Sequence, residues 1–386
     1  MAATNRVDAA AWEQHLMKTF QKTLQQLKDR NRLRSLNKAE GIDLTSNDYL
    51  GMRNHPALKI AALEAISNGI EIGASGSRLL RGQCDAHESL ETFAATHFGS
   101  EKALYFANGF LANYALFTTL PDRHDCIIYD SLLHASARDG INASNARSIK
   151  AEHNDLQSFE DAIKRAKDSF KGHIWVAVES LYSMDGDSAP LTEIQKLCAD
   201  YDAYLIVDEA HSTGVFGNRG KGLSESLKKE NLIELHTCGK AVGVAGGLIC
   251  ASADIVDYMI NKSRPFIYST APMPLQAHLT QTSLEILASK DGDKRRSELQ
   301  NLVKFFKTQY QEAESHIVPI ILGDDASAVQ TATAMQEAGY DIRAIRPPTV
   351  PEGTARLRLS LSTNLNTATL EQFFGLLSNQ LQKKAA

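Results

Sequence analysis

Short apolar runs alternate along this chain with longer stretches whose apolar residues recur every three or four positions. The runs are rich in β-branched and aromatic residues, which favour strands, and the longer stretches have the period of amphipathic helices. Such alternation predicts an α/β fold with a mainly parallel sheet covered by helices. The runs that we assign to strands are ALYFANG, DCIIYD, HIWVAVES, AYLIVDEAH and GGLICAS.

The two ends of the chain follow other patterns. Residues 10 to 36 carry Phe20, Leu24 and Leu27 at helical spacing, followed by basic residues, which predicts an amphipathic helix. Its basic end could meet an anionic substrate, although a charged run by itself is more often only solvated. Beyond about residue 280 the pattern changes to long charged helices and short strands. We therefore predict an N-terminal helical arm (1–45), a large domain (46–280) and a small C-terminal α+β domain (281–386).

Composition narrows the function to small-molecule chemistry. The 386 residues are 43% hydrophobic with a net charge of -5, which gives no general attraction to nucleic acid or anionic membranes. The five cysteines lack CxxC pairing, so neither a zinc cluster nor a disulfide framework is indicated. The chain has no signal-peptide pattern and no run near the roughly 20 apolar residues of a membrane span. We expect a cytoplasmic protein with no metal, nucleic-acid or membrane partner.

Polar residues follow directly after several of the predicted strands, where ligands bind in open α/β sheets. Asn108-Gly109-Phe110 follows ALYFA and precedes a helical stretch, whose free N–H groups could face a phosphate. His134 and Ser183 come after the next runs, where an imidazole could stack on a flat ring and a hydroxyl could donate to one. Each feature alone has a more common structural explanation: a glycine turn, a buried histidine or an Asp-Gly turn.

One segment combines the groups that pyridoxal 5'-phosphate requires. Asp208 and His211 lie in LIVDEAH, and Thr237 and Lys240 lie in HTCGKAVGVAGG. A lysine amine forms a Schiff base with the cofactor aldehyde, and a carboxylate beside the ring nitrogen keeps that nitrogen protonated so that the ring accepts electrons. This segment predicts a pyridoxal phosphate enzyme.

Two other classes share fragments of these motifs. Helicases use the letters DEAH, but they also need G-x-x-x-x-G-K followed by Ser or Thr, whereas here Ala241 follows Lys240. The glycines of segment 73–82 could be mistaken for a dinucleotide loop, but they lack the G-x-G-x-x-G spacing after a first strand. Both interpretations are disfavoured.

The motifs together resemble the α-oxoamine synthase family of pyridoxal phosphate enzymes. The resemblance runs through SNDYLG (46–51), SGSRLLRG (75–82), HAS (134–136), SMDGDSAPL (183–191), DEAHSTGVFG (208–217) and IYSTAPMP (267–274). It implies fold type I of the pyridoxal phosphate transferases, similar to aspartate aminotransferase, and condensation of an amino acid with an acyl thioester with loss of CO2. It also implies a homodimer in which both subunits contribute to each active site.

The C-terminal segment IRPPTVPEGTARLRLSLS (345–362) is most similar to the branch that joins L-alanine to a pimeloyl thioester in biotin biosynthesis. The acyl carrier, coenzyme A or a carrier protein, is left open. Sister branches that use glycine or serine share the core motifs and are the alternative. Non-catalytic partner subunits of the family lack the lysine, so Lys240 and Asp208 argue against that reading.

The resemblance also implies a role for each matching residue. Lys240 would be the Schiff-base lysine and the base for the α proton, Asp208 the partner of the ring nitrogen, and His134 the stacking imidazole. Ser183 and His211 would bond the phenolic oxygen, and Lys240, His134, Asp208 and His211 form the catalytic set. The phosphate would be bound by Asn108, Gly109, Phe110 and Thr237, with Ser269 and Thr270 from the second subunit; substrate residues would be Arg34, Asn47, Thr349 and Arg358. Cys238, Arg78 and Arg81 depart from or vary within the family pattern, which leaves substrate preference open.

Overall fold

The computed structural model describes residues 9–36, 38–310 and 313–385, with side chains from 18 to 382 apart from the same gaps. The strands are β1 (Ile42–Asp43), β2 (Lys102–Phe106), β3 (Cys126–Asp130), β4 (Arg147–Ala151), β5 (Ile174–Glu179), β6 (Tyr204–Asp208), β7 (Leu232–Thr237), β8 (Gly247–Ala251), β9 (Ile317–Gly323), β10 (Tyr340–Asp341), β11 (Ala344–Ile345) and β12 (Ala355–Ser360).

Helices fill most of the chain between the strands. They are α1 (Ala9–Asp29), α2 (Pro56–Ser67), α3 (Asp85–Phe98), α4 (Gly109–Thr119), α5 (Ala135–Ala143), α6 (Leu156–Ser169), α7 (Leu191–Asp200), α8 (Ala253–Lys262), α9 (Arg264–Ile267), α10 (Pro274–Leu287), α11 (Lys290–Gln309), α12 (Asp325–Glu337) and α13 (Thr367–Ala385). A π-helical turn spans Arg78–Gly82, and 3-10 turns span Asn218–Gly220 and Leu223–Ser226.

The chain divides into two compact units. The larger unit contains residues 46–318 and 360–367, and the smaller unit contains residues 319–359, those from 368 onward and the described part of the first 45. These units combine separate stretches of the chain, so they do not coincide with the predicted arm and two domains, whose limits stay a prediction. Helix α11 lies in the larger unit, where Arg296 Nη1 donates to Gly214 O at 3.2 Å and to Leu287 O at 2.8 Å.

A seven-stranded sheet organises the larger unit. Its strand order is β2-β8-β7-β6-β5-β3-β4, and β3 to β7 run parallel where they are neighbours. Strand β8 is antiparallel to both β7 and β2. The prediction of a mainly parallel, helix-covered sheet is confirmed. The carboxyl ends of β2, β3, β5, β6 and β7 therefore lie at one edge of the sheet.

Each face of this sheet has its own core. Successive side chains of a strand point to opposite faces, so Trp175 and Ala177 join one cluster and Val176 and Val178 the other. Helices α4, α5 and α8 cover the first face, and α6 and α7 cover the second. Burial on both faces explains why these strands read as continuous apolar runs.

The smaller unit is built on two short sheets. Strands β1 and β10 pair in parallel, and a three-stranded sheet has the order β11-β12-β9. Helix α1 begins one residue before the helix predicted for 10–36 and ends at Asp29, and its Phe20 and Leu24 are exposed. Across the described residues, every helix is too short or too polar to cross a membrane.

Candidate active site

The site lies at the carboxyl edge of the seven-stranded sheet. Asp208 is the last residue of β6, and Thr237 is the last residue of β7. His134 follows β3 and caps α5, since its Nδ1 accepts from Ser136 N at 3.2 Å. Ser183 follows β5 in a buried loop. Parallel pairing of these strands brings together residues that are distant in sequence.

Asp208 is a buried carboxylate held by neutral donors. Its Oδ2 accepts from Asn113 Nδ2 at 2.7 Å, and its Oδ1 accepts from Ala210 N at 2.9 Å. Asn113 Nδ2 also donates to Ser136 Oγ at 3.0 Å, and Ser136 Oγ lies 2.8 Å from His134 Nδ1. Two side chains thus connect Asp208 to His134. Sequence reasoning missed Asn113, because a single amide in the apolar helix α4 gives no signal of its own.

Lys240 begins a chain of contacts that ends at Asn47. Its Nζ lies 2.7 Å from His211 Nε2, and His211 Nδ1 lies 2.7 Å from Tyr49 Oη. Tyr49 Oη donates to Asn47 Oδ1 at 2.8 Å. Because the tyrosine has one proton to donate, His211 Nδ1 donates to Tyr49, which leaves Nε2 as the acceptor for the lysine. Tyr49 was quoted only as part of the SNDYLG motif and had no predicted role.

The carboxyl group of Glu179 belongs to the residue that pairs with Asp208 on the neighbouring strand. Glu179, the last residue of β5, pairs in register with Asp208 and is fully enclosed. Burial first, and the charge of Asp208 second, raise the pKa of Glu179 well above its usual value. Glu179 is therefore neutral when Asp208 is ionised. The sequence signal was a lone glutamate at the end of the apolar run HIWVAVES.

The surroundings of His134 favour the neutral form of its imidazole. Desolvation of the charged ring by the surrounding atoms, followed by the positive charge of Lys240, lowers the pKa of His134. Its side chain keeps a solvent-accessible face. A neutral ring with one open face is suited to stacking on a flat aromatic ligand.

The N-terminus of α4 forms a cradle of backbone N–H groups. Asn108 caps the helix, and its Oδ1 accepts from Leu111 N at 2.8 Å. A Cβ added at Gly109 would lie 2.4 Å from Thr237 Oγ1, so only glycine lets this hydroxyl approach the helix end. Phe110 points outward, with 49% of its surface exposed, and contributes its backbone to the cradle. A helix N-terminus of this kind attracts anions.

Ser269 and Thr270 lie in the link between α9 and α10, and both are solvent-accessible. Ala271 N donates to Gly76 O at 2.9 Å, which ties this link to the glycine-rich segment before the π-helical turn. A Cβ at Gly82 would meet Ala271 Cβ at 2.7 Å. Gly82 therefore lies in a tight backbone passage, whereas a Cβ at Gly73 would meet nothing within 4 Å.

The other predicted substrate residues belong to the smaller unit. Arg34 Nη2 lies 3.5 Å from Thr349 Oγ1, and both line a cavity of about 100 Å³ with Arg32 and Arg346. Arg358 is buried on β12.

Within the described residues, no cluster of His, Cys, Asp or Glu is arranged to hold a metal ion.

The three residues that depart from or vary within the family pattern differ in their burial. Cys238 is fully buried, and burial raises the pKa of its thiol. Arg78 is buried against Glu91, with Nη1 and Nη2 donating to its two carboxylate oxygens at 3.0 and 2.9 Å. Arg81 lies on the exposed side of the same turn.

Comparison with known proteins defines the class. The chain matches the class I and II aminotransferase family over residues 39–377 and belongs to it. The predicted type I fold is confirmed by solved structures. A serine palmitoyltransferase from S. paucimobilis with bound PLP and myriocin aligns with a TM-score of 0.86 at 25% identity, covering 95% of this chain and 97% of that one.

Within this class the chain belongs with the 8-amino-7-oxononanoate synthases. Such a synthase from Chromobacterium violaceum is 39% identical over 343 residues, 87% of this chain and 88% of its own length. One from Enterobacter sp. is 37% identical over 339 residues, covering 85% and 86%. The structure of one from Francisella tularensis aligns with a TM-score of 0.76 at 28% identity, over 90% and 99%. The resemblance stated from the motifs is confirmed.

Proposed function

We propose that this protein is a pyridoxal phosphate-dependent acyltransferase that condenses L-alanine with a pimeloyl thioester. The products are 8-amino-7-oxononanoate, CO2 and the free thiol, in cytoplasmic biotin synthesis. The observation that carries the proposal is the contact of Lys240 Nζ with His211 Nε2 at 2.7 Å, beside the buried carboxylate of Asp208. Relatives that share most of the chain length carry the name of this activity.

The residues present fit the cofactor at both of its ends. The α4 cradle offers backbone N–H groups and the Thr237 hydroxyl to a phosphate, and only Gly109 allows that approach. Asp208 accepts two hydrogen bonds from neutral donors, so it is suited to pair with a protonated ring nitrogen. His134 would cover one face of the ring, and Ser183 with His211 would reach its phenolic oxygen.

When bound, pyridoxal phosphate supplies an electron sink for the α carbon of the amino acid. The protein supplies the attachment point and the proton chemistry. Lys240 would be the amine that holds the cofactor aldehyde, and His211 Nε2, 2.7 Å from Lys240 Nζ, can accept a proton from that amine. His211 Nδ1 is held by Tyr49, so the imidazole keeps one orientation while Nε2 gains or loses its proton. His134 is neutral and can donate to the thioester oxygen as negative charge develops there.

Substrate binding is assigned from the sequence resemblance. Asn47 would face the amino-acid carboxylate, and its Oδ1 is already fixed by Tyr49 Oη at 2.8 Å. Arg358 would pair with the same carboxylate. Arg34 and Thr349 would contact the substrate. The donor thioester is carried by coenzyme A or by an acyl carrier protein.

A homodimer belongs to this proposal. Several large apolar side chains of the larger unit are exposed around the link that bears Ser269 and Thr270. Leu79 and Leu80 are 50% and 80% exposed on the π-helical turn, and Tyr268 and Met273 are 72% and 46% exposed on the link itself. Exposed apolar side chains grouped on neighbouring segments favour contact with another protein surface. A second copy would bury it and receive the two hydroxyls.

The proposal is tested by free-thiol release. Purified protein with pyridoxal phosphate is given pimeloyl-coenzyme A, or pimeloyl-carrier protein, with L-alanine, glycine or L-serine. We expect release with L-alanine and a product of the mass of 8-amino-7-oxononanoate. Lys240→Ala is the matched control and should lose turnover by roughly 10²–10⁴-fold or more.

Other outcomes would replace the proposal. Release only with serine would indicate a serine-using activity, like that of the serine palmitoyltransferases that share its fold. Release only with glycine would place it with the glycine-using branch. Normal cofactor binding without release from either pimeloyl donor would show a different acyl group.

A further inference from the structure

A histidine outside the predicted site bridges two carboxylates beneath it. His153, in the loop after β4, has Nδ1 2.9 Å from Asp130 Oδ1 and Nε2 2.7 Å from Asp187 Oδ2. Asp130 is the last residue of β3 and is fully buried. Asp187 is the final acid of SMDGD in the loop after β5. One ring thus joins three loops that follow three neighbouring strands.

The bridge requires a charged imidazole. Carboxylate oxygens only accept hydrogen bonds, and a neutral imidazole has one donor nitrogen and one acceptor nitrogen. With a carboxylate at each nitrogen, both must donate, so the ring is an imidazolium. Although burial lowers the pKa of His153, its hydrogen bonds to Asp130 and Asp187 raise it to about 10. The ring edge of Tyr182 packs against it at a centroid distance of 4.4 Å.

The neighbouring Asn154 makes a second connection between the same carboxylates. Its backbone N donates to Asp130 Oδ2 at 2.9 Å, and its side-chain Nδ2 donates to Asp187 Oδ2 at 2.8 Å. Its φ of 53° is in the left-handed region, which asparagine tolerates better than most residues. The His153-Asn154 pair is therefore built to hold both acids at once.

Both acids lie in segments that carry predicted cofactor residues, and Asp130 acts through its carboxylate whereas Asp187 acts through its main-chain oxygen. Asp130 Oδ1 accepts from Leu132 N at 2.8 Å, which shapes the turn leading to His134. Asp187 O accepts from Tyr182 N at 2.9 Å, which closes the loop that contains Ser183. The His153-Asn154 pair thus ties the segment that leads to His134 to the loop that contains Ser183.

We infer that His153 is a positioning residue for the cofactor site, which fixes the loops of His134 and Ser183 relative to one another. The inference rests on the proposed function, since it concerns residues assigned to the cofactor ring. His153 acts through Asp130 and Asp187 and does not itself contact the ring. Its loss should misplace the stacking imidazole and the hydroxyl while leaving Lys240 and Asp208 in place.

The test compares His153→Gln with His124→Gln, the same change at an exposed histidine of the larger unit. Apoprotein is titrated with pyridoxal phosphate to obtain its dissociation constant, and the circular dichroism of the bound cofactor band is recorded per mole bound. We expect His153→Gln to weaken cofactor binding by roughly 10-fold, as for loss of a charge-assisted hydrogen bond, and to reduce the dichroism. Its kcat should fall while KM for the acyl thioester changes by less than about twofold.

A purely structural role would lower the unfolding temperature without changing the dissociation constant, the dichroism or kcat, and that result would overturn the inference. If His153→Gln fails to fold, Asp187→Asn keeps the Asp130–His153 pair and should show the same spectroscopic change to a smaller extent. Wild-type affinity and dichroism in Asp187→Asn would also contradict the inference. Failure of the wild-type protein to bind pyridoxal phosphate would instead reject the proposed function, and the inference with it.

Discussion

The contact between Lys240 and His211 depends on a third residue, Tyr49. Its hydroxyl accepts from His211 Nδ1 at 2.7 Å and so selects the tautomer that carries its proton on Nδ1, which leaves Nε2 as the acceptor for the lysine. Without that hydroxyl the imidazole can rotate or carry its proton on Nε2, where it would oppose the lysine ammonium. The tyrosine of SNDYLGMR gives no such information by itself, because only the folded structure places its hydroxyl beside His211.

Replacing Tyr49 by Phe tests this dependence. Loss of one net hydrogen bond of ~0.5–1.5 kcal/mol in the reacting state corresponds to a decrease in kcat of about 2- to 10-fold. Steady-state kinetics with L-alanine would show it, with Tyr258→Phe, an exposed tyrosine, as the control. An unchanged kcat and an unchanged pH profile would mean that His211 is oriented by other groups.

The charge of His153 predicts how stability responds to pH. Burial lowers the pKa of His153, but its hydrogen bonds to Asp130 and Asp187 raise the pKa from the ordinary value of a histidine to about 10. The folded protein therefore holds a proton that the unfolded chain releases above pH 6.5. The stabilisation is complete below that pH and is lost as the pH rises towards 10.

Thermal unfolding of apoprotein would reveal this loss. The difference in unfolding temperature between wild type and His153→Gln should be largest near pH 6 and should shrink steadily up to pH 9.5. The corresponding slope is at most ~1.4 kcal/mol per pH unit. A difference that stays constant over this range would show that His153 is neutral in the folded protein.

At the scale of elements, the approach of β7 to the start of α4 creates the anion cradle. Gly109 is the first residue of α4, and Thr237 is the last of β7. Changing Gly109 to Ala places a methyl group 2.4 Å from Thr237 Oγ1, so the threonine or the helix must move. We expect pyridoxal phosphate to bind about 5- to 150-fold more weakly, as for an overpacking cost of ~1–3 kcal/mol.

The comparison with pyridoxal, which lacks the phosphate, isolates the cradle. Its binding to Gly109→Ala should be affected less than that of pyridoxal phosphate. Gly375→Ala is the control, because a Cβ there has nothing within 4 Å. Equal losses for both ligands would show that the substitution disturbs the site as a whole.

Register across the sheet also decides the electrostatics of the site. Pairing of Glu179 with Asp208 places two carboxyl groups side by side on neighbouring strands, and enclosure makes it costly to charge both. Burial first, and the charge of Asp208 second, therefore raise the pKa of Glu179 well above its usual value. The two residues are about thirty positions apart in the chain, and only strand pairing brings them together.

At the scale of the whole molecule, we expect a dimer that completes the cofactor site. Leu80→Glu introduces a charge where 80% of the leucine surface is exposed beside the Ser269-Thr270 link. Burying that charge against a second copy is unfavourable, so sedimentation should show a monomer with weaker cofactor binding. Ile321→Glu, an exposed apolar residue of the smaller unit, is the control and should stay dimeric. A Leu80→Glu dimer with normal affinity would place the interface elsewhere.

Much of this protein was determined by local sequence pattern. Apolar runs buried on two faces predicted the strands of the parallel sheet, because side-chain burial and β-branched content act within a few residues. The lysine, aspartate and histidine of the central segment indicated pyridoxal phosphate chemistry, because few cofactors need those groups together. The motifs and their spacing placed the chain in its family, which the comparisons confirmed.

Tertiary structure decided how those groups are held. Tyr49, Asn113, Glu179 and His153 had no predicted role, because each acts on a residue far away in the chain through strand order and register. The assignment of α11 to the larger unit likewise depends on which surface its Arg296 contacts, which helical periodicity does not specify. Sequence pattern reports the residue types and the face that each element buries; it does not report which polar groups meet, because those contacts form only when the sheet edge is assembled.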